Sequence, residues 1–427
     1  MKDKIFIGLT EIAGYYSNLK KGFQELDIEC TFVDLSHHPF QYTGADENFI
    51  FIKLYKLFQK QMSKYSLKIV KAPFYILSQL FKIPIFIWAL YNYNVFIFGF
   101  GRSFFWNFDL PILKLFNKKI IFVFNGSDGR PPYIDGAKHN LTIHDYKTLS
   151  RKIKSNIVAI ERYADWIVTH PPYAHFHCKK TIKGLLIGLP FDTHKLNGCE
   201  KEQYGTKEKQ QIKILHSPSD PIAKGTSHIR AAISDLVEKG YSIDFVEITG
   251  RPHKEVIKEL QFCDFVIDQV YSDTPLAGFA TEAAFFGKPA VVGGYYADYI
   301  DFDFSVDDIP PSLFCHPEKM RDEILRLIVD KNYRERMGKE AQNFVRTRWT
   351  PEQVAKRYLQ LIEGTIPEEF IFDPNTIQYT QGGGIPESKS KAIIRDMIEQ
   401  YGIGSLCLSD KPELEQRFRE YAYDIHK

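Results

Sequence analysis

The chain has 427 residues, with 55 lysines and arginines against 53 aspartates and glutamates and a formal net charge of +2. That length supports two or three domains, and the balanced charge removes any global case for nucleic-acid binding. Six cysteines (Cys30, Cys178, Cys199, Cys263, Cys315 and Cys407) are scattered without a Cys-x-x-Cys pair, which argues against a disulfide framework or structural zinc and suits a reducing cytosol.

A strand-like run over 5–9 opens the chain, so no secretory leader is expected, and the triplet beginning at Asn140 is read as chance. A turn at Gly14 and a helix to about residue 26 follow. Further strands are predicted over 30–33, 95–98, 120–124 and 166–169. Short apolar runs separated by helices imply a parallel sheet covered on both faces. The second half repeats the alternation, with strands over 213–215, 243–249, 265–268 and 290–292 and helices over 227–239, 253–261 and 278–286. In helix 227–239, Ile229, Ala232, Ile233, Leu236 and Val237 share a face; Thr226 or Ser227 is the expected N-cap and Gly240 the stop. Two Rossmann-like halves facing a cleft follow from this order. They span 1–195 and 205–348. A helix over 349–365 and a helical tail over 366–427 complete the chain; the tail carries a Gly-rich loop at 381–386, read as flexible, and no evident chemistry.

No acidic residue lies between Glu47 and Asp109, whereas Lys53, Lys56, Lys60, Lys64, Lys68, Lys71, Lys82 and Arg102 do. The first six lysines recur every three or four residues, with Phe51, Leu54, Tyr55, Phe58, Met62, Tyr65 and Ile69 largely opposite them. Such a helix, in an insertion over about 49–90, suits an anionic membrane surface, with Lys53, Lys56, Lys60, Lys64 and Lys68 as contact residues; a plain solvated helix is the alternative. The uncharged run 83–100 has nearly the length of a membrane span, but Pro84, Asn92, Asn94 and Gly99 favour a helix to about 90, a turn and a core strand.

The most informative stretch runs from Asp264 to Gly293. It reads as a strand, a loop closed by Gly278, a short helix carrying Glu282, and a second strand. A loop ending at a helix N-terminus presents free N–H groups and a positive dipole end to phosphate, and a carboxylate one turn later accepts hydrogen bonds from a ribose diol. Gly278-x-x-x-Glu282-Ala-x-x-x-Gly287-Lys-Pro resembles the nucleotide-sugar signature of the GT-B glycosyltransferases of family 4. Residues 212–216, followed by Ser217-Pro-Ser-Asp-Pro-Ile-Ala-Lys224-Gly225-Thr226, resemble that family's first nucleotide-domain strand and its Lys-Gly step. Ile187-Gly-Leu-Pro-Phe-Asp192 resembles its approach to the interdomain linker. The likeness is good over 185–350, looser over 1–185 and absent over 366–427. Thr274 and Ser219 stand where the family commonly has a glutamate and an arginine.

The resemblance implies an α/β chain of GT-B architecture that moves a sugar, with retention, from a UDP- or GDP-linked donor to a saccharide acceptor. Lys224 would neutralise the departing diphosphate. Gly225, His216, Ser217 and Arg251, the N–H groups of Gly278, Phe279 and Ala280, and Glu282 on the ribose complete the donor site. Loops of the first domain would line the acceptor side through Gly8, Glu11, Gly14 and Arg130, with Asp128 and His170 as catalytic candidates beside Lys224. A tight turn at 125–130, a rim histidine at 170, and solvated roles for Lys224 and Glu282 are the structural alternatives. No metal or cofactor is expected: His175-Phe-His177-Cys178 lacks a fourth ligand, and Asp301-Phe-Asp303 lies past the signature. The basic block adds a lipid-linked acceptor, cell-surface polysaccharide synthesis in a bacterium and a peripheral place on the cytoplasmic face of the membrane. A GT-B sugar-nucleotide epimerase and a catalytically silent GT-B partner subunit are the competing readings.

Overall fold

Uninterrupted apolar runs such as Ile5–Phe6–Ile7 and Ile120–Ile121–Phe122 are buried on both faces, which is what a helix-covered parallel sheet demands. The computed structural model describes residues 3–36, 45–46, 48–65, 67–192 and 211–425; the expected boundary at 195–205 lies outside the described residues. The strands are β1 (Lys4–Leu9), β2 (Glu29–Asp34), β3 (Val95–Gly99), β4 (Lys119–Val123), β5 (Trp166–Thr169), β6 (Thr181–Lys183), β7 (Ile212–His216), β8 (Ile243–Glu247), β9 (Phe265–Ile267), β10 (Ala290–Gly293), β11 (Leu313–Cys315) and β12 (Ile371–Phe372). One sheet has the order β12-β6-β5-β4-β3-β1-β2, parallel except for β12 against β6. The other has the order β11-β10-β9-β7-β8 and is wholly parallel.

The chain crosses back after the second sheet. Helix Pro351–Glu363 lies on helix Tyr15–Glu25 of the first lobe. Gly22 permits that approach, since a Cβ there would stand 2.0 Å from the Pro351 carbonyl oxygen. The hydroxyls of Tyr15 and Tyr358 meet at 2.8 Å. Strand β12 then extends the first sheet, and helices Glu387–Tyr401 and Pro412–Ala422 pack near Tyr133, whose ring lies 5.5 Å from that of Phe418.

The basic insertion differs from its expected form. It is a hairpin of two helices, Ile50–Ser63 and Lys68–Asn92, rather than one amphipathic helix. The aromatic face of the first helix turns inward: Phe58 stacks on Phe81 at 5.4 Å and Tyr65 on Phe74 at 5.6 Å. The second helix continues through Pro73 and Pro84, each of which removes one ladder hydrogen bond. Strands β6, β11 and β12, two or three residues long, are not among the predicted strands.

Candidate active site

The order of the second sheet reverses between β7 and β9, and loops at such a point open a crevice at the carboxyl ends of the strands. Asp220 Oδ1 takes the N–H groups of Ile222 and Ala223, turning the chain after β7 toward Lys224. Gly225 follows at φ +70°, and a Cβ on it would stand 2.7 Å from Val270. Glycine therefore lets the two loops touch, and Val270 donates its N–H to the Lys224 carbonyl at 3.0 Å. Lys224 Nζ lies 3.5 Å from Oδ1 of Asp268, a buried carboxylate just past β9 whose other oxygen has no partner. The sequence reading does not single out Asp268; its signal is its place at a strand's carboxyl end.

Helix Gly278–Phe285 starts from Ala277, in extended backbone, with no side-chain cap. Gly278 is exposed, and the space where its Cβ would stand is open. The N–H groups of Gly278, Phe279 and Ala280 belong to the first turn, which has no acceptor within the helix. One turn on, Glu282 Oε1 sits 2.6 Å from His253 Nε2, and this hydrogen bond holds the imidazole pKa above its ordinary value. Ser217 Oγ donates to the Ile248 carbonyl. Arg251 is largely exposed, 3.6 Å from Glu255. His216 requires a correction: its buried ring holds the Ile267 carbonyl at 2.8 Å and Thr226 Oγ1 at 2.9 Å, so neither nitrogen is left for a nucleotide. Gly225, not Thr226 or Ser227, is the N-cap of the helix that follows.

The first lobe treats its loops differently. Buried Glu11 accepts N–H groups from Ile12, Tyr16 and Ser17 at 2.8, 3.1 and 2.9 Å. Its carboxylate thus closes the N-terminus of helix Tyr15–Glu25, which Gly14 enters at φ +82°. The expected acceptor-side role of Glu11 is corrected accordingly. Gly8 is a packing residue, because a Cβ there would meet the Phe6 ring at 2.8 Å. Asp128 Oδ1 closes the turn after β4 through the N–H groups of Asn125 and Gly126, both at 3.0 Å. Burial pushes its carboxyl up to about 6, and Oδ2 has no partner. His170, past β5, has its ring centroid 5.3 Å from that of Tyr173; burial and then the Arg130 charge bring its pKa down to about 4, so it is a neutral imidazole near pH 7.

Arg130 joins the lobes. Its guanidinium meets Asp135 Oδ1 at 3.0 Å, pairs with Asp273 of the second lobe and lies 4.6 Å from the Tyr173 ring centre. Tyr379, from the tail, brings its hydroxyl within 2.8 Å of Asp273 Oδ1. Arg130 is thereby committed to buried ion pairs, and its expected role as an acceptor-holding group is corrected. Asp273 directly precedes Thr274, which stands where the resembled family commonly has a glutamate. The tail loop, expected to be flexible, is a strap: Gly136 N–H bonds the Gly383 carbonyl at 2.9 Å and Gly384 N–H the Tyr271 carbonyl at 2.7 Å, one from each lobe.

The remaining expected residues lie elsewhere. His175 Nε2 faces the Tyr379 carbonyl at 2.8 Å and His177 Nδ1 faces Glu161 at 3.0 Å. Among the described residues no three metal-ligating side chains converge. Lys53, Lys60 and Lys64 are exposed on the hairpin and Lys56 is half-buried; the side chain of Lys68 lies outside the described residues.

No family model and no curated protein matches the chain. Among solved structures it is similar to Anabaena Alr3699/HepE in complex with UDP (11% identity, TM-score 0.50, covering 85% of this chain and 100% of that one). It is also similar to a mutant of S. aureus TarM in complex with Fondaparinux, alpha-GlcNAc-glycerol and UDP (10% identity, TM-score 0.50, 84% and 99%). A third is trehalose-6-phosphate synthase with bisubstrate glycomimetics (10% identity, TM-score 0.50, 86% and 100%). These neighbours have the GT-B architecture, and this chain has the same fold: two Rossmann-like lobes across a cleft.

Proposed function

We propose that the protein transfers a sugar from a UDP- or GDP-linked donor to a saccharide acceptor with retention of anomeric configuration. The observation that carries this reading is the uncapped N-terminus of helix Gly278–Phe285 at the strand-order reversal that also holds Lys224. An ammonium and a set of free N–H groups form a preorganised positive site for a diphosphate. Arg251 and these groups supply the counter-charge without calling on a metal. Glu282, on exchanging His253 for a ribose diol, fixes the nucleoside.

In the transfer, the bond from the anomeric carbon to the diphosphate oxygen breaks as the acceptor oxygen bonds to the same face. The leaving diphosphate takes the acceptor's proton, and Lys224 stabilises the charge that develops on it. The neutral His170 ring follows β5 directly, where it would bond a sugar hydroxyl, whereas Asp128, five residues past β4, keeps its Oδ2 buried in the turn and would act through the shape of that turn. UDP in the HepE and TarM structures, and the retention named for the trehalose-6-phosphate synthase work, support this assignment. The lysine-bearing hairpin, at roughly 1 kcal/mol per lysine near an anionic surface, supports a lipid-linked acceptor in cell-surface polysaccharide synthesis, with the enzyme peripheral on the cytoplasmic leaflet of a bacterial membrane.

A thermal-shift panel of UDP, GDP and their sugar conjugates tests the site. Stabilisation by one nucleotide should be lost in Lys224→Ala and in Glu282→Ala; equal shifts in both variants and the parent would remove the site. One observation favours a second reading, a catalytically silent partner subunit: Asp273, the carboxylate next to Thr274, is tied up by Arg130 and Tyr379. Donor binding with no turnover across a range of acceptors would select it.

A further inference from the structure

A cavity of about 220 Å³ lies where the loops after β5 and β10 meet the tail. The first lobe gives it Pro171, next to His170; the second lobe gives it Tyr296 and Asp303; the tail gives it Phe372 and Tyr379. Ligands of α/β sheets gather at the carboxyl ends of strands, and here both sheets contribute such an end. The tail wall is fixed in place. Strand β12 pairs with β6, and Lys411 Nζ donates to the His175 and Pro374 carbonyls at 2.9 and 3.0 Å. The likeness to family 4 does not extend to the tail, so the cavity is built by a part peculiar to this chain.

Its walls are aromatic. Tyr379 stands edge-on to Tyr296 and to Tyr299, with ring centroids 5.4 and 5.5 Å apart and interplanar angles of 70°. The Tyr379 hydroxyl lies 2.8 Å from both Asp273 Oδ1 and the Gly382 carbonyl, and the Tyr296 hydroxyl donates to Asp303 Oδ2. These polar tips are occupied, so the two rings offer the cavity apolar surface. At the rim Phe302 is 84% exposed, and Thr376 and Gln378 are exposed as well, so solvent reaches the cavity.

The chemistry of the lining selects the guest. An ionised carboxylate has about four lone-pair sites, and Tyr296 uses one of those on Asp303. Burial raises the Asp303 pKa above the ordinary carboxylate value, the mark of a group short of hydration. Its remaining acceptor capacity suits hydroxyl donors, and fixed aromatic rings suit a face of C–H bonds. A pyranose has both. Aromatic walls around a carboxylate also suit an organic cation, but Lys183 counts against one. Its Nζ binds the Asp303 carbonyl at 2.6 Å and stands 5.4 Å from the Phe304 ring centre, so a fixed cation already adjoins the carboxylate. The volume is below the ~300 Å³ at which pockets for drug-sized ligands begin, which admits one ring and excludes a sugar nucleotide.

We propose that this cavity is a subsite for one neutral pyranose unit of the acceptor, its C–H face on the tyrosine wall and its hydroxyls on Asp303. The inference rests on the transferase reading for calling that sugar an acceptor, and deepens it by making the tail a determinant of acceptor choice.

The test uses the full chain and saturation-transfer NMR. The probes are the methyl pyranosides of glucose, galactose, mannose and N-acetylglucosamine, with tetramethylammonium as the cation. At least one pyranoside should receive saturation at its ring C–H protons, with millimolar affinity. Asp303→Asn and, independently, Tyr299→Ala should each weaken that binding at least ~10-fold. Phe302→Ala, at the exposed rim and outside the core, should weaken it a few-fold and gives a readout free of folding effects. The nucleotide thermal shift of all three variants should equal that of the parent. Transfer to no pyranoside, transfer to tetramethylammonium alone, or sugar affinity untouched by all three substitutions would each overturn the subsite. A parent that binds the sugar but shows no nucleotide shift would count against the transferase reading alone.

Discussion

Helix N-termini follow the carboxyl ends of strands in both lobes, and the two lobes dispose of them in opposite ways. After β1 the chain provides its own anion, Glu11, which takes three N–H groups at the start of helix Tyr15–Glu25. In the second lobe, helices Thr226–Glu238 and Gly278–Phe285 begin at Gly225 and Ala277 with no side-chain cap, and a lysine stands beside them. The lobes therefore differ in electrostatics: the first neutralises this helix start with its own carboxylate, whereas helix Gly278–Phe285 of the second has no such anion, and the start of helix Thr226–Glu238 is closed by backbone, with the Thr226 N–H on the Pro221 carbonyl at 3.0 Å. In the proposed site, the lobe that would hold the diphosphate is set apart by a capping residue, not by topology.

The strongest way to break this comparison is at the junction of the lobes. Arg130→Ala would leave Asp135 and Asp273 buried without their cation, and removal of one partner from a buried pair costs about 3–5 kcal/mol. Urea denaturation should show a loss of that order. A loss below about 1 kcal/mol would mean that the strap and helix Pro351–Glu363 alone hold the lobes together.

The next test exchanges the chemistry of the two helix starts. Glu11→Ala strips the first lobe of its internal anion and should cost about 1–3 kcal/mol in stability, with the nucleotide-induced thermal shift unchanged. Ala277→Asp does the reverse. The extended backbone at Ala277 (φ −82°, ψ 180°) suits an N-cap side chain, so the helix should gain about 1 kcal/mol while nucleotide affinity falls at least ~10-fold. Retained affinity in Ala277→Asp would disprove the first-turn phosphate site. Between these lies Lys224→Ala, expected to weaken nucleotide binding by ~10-fold or more; it should also lower stability, by less than Arg130→Ala, because buried Asp268 loses a cation that is itself partly exposed and 3.5 Å away.

How far the sequence reaches depends on the distance between cooperating residues. The alternation of strands and helices, and the approach of Lys224-Gly225 to a helix start, are local and legible. The Arg130–Asp273 pair spans 143 positions and the Asp273–Tyr379 contact 106, so nothing local announces either. His216 reads as available because its place at a strand end is visible in the sequence while the commitment of both ring nitrogens is not. The hairpin reads as one helix because lysine spacing runs without a phase break past Lys64, the C-cap of the first helix, to Lys68, the first residue of the second. The Gly-rich loop has the composition of a flexible segment, yet Gly383 is required by closeness: a Cβ there would stand 2.4 Å from the Asp273 carboxylate.

The smallest effect expected concerns Glu282, which in the proposed site would have to leave His253 before binding ribose. The glutamate raises the His253 pKa above its usual value, so the pair is fully formed below about 6.5 and is lost as pH rises through the raised value. A protonated His253 competes with the diol for the carboxylate, and deprotonation releases it. UDP affinity should therefore rise about two- to three-fold from pH ~6 to ~8, a modest change because the imidazole is two-thirds exposed. His253→Ala should flatten that rise without abolishing binding, whereas Glu282→Gln should lower affinity at every pH. If affinity instead falls with pH in the parent and the fall disappears in His253→Ala, the imidazolium acts on the donor directly, and His253 joins Lys224 as part of the anion site.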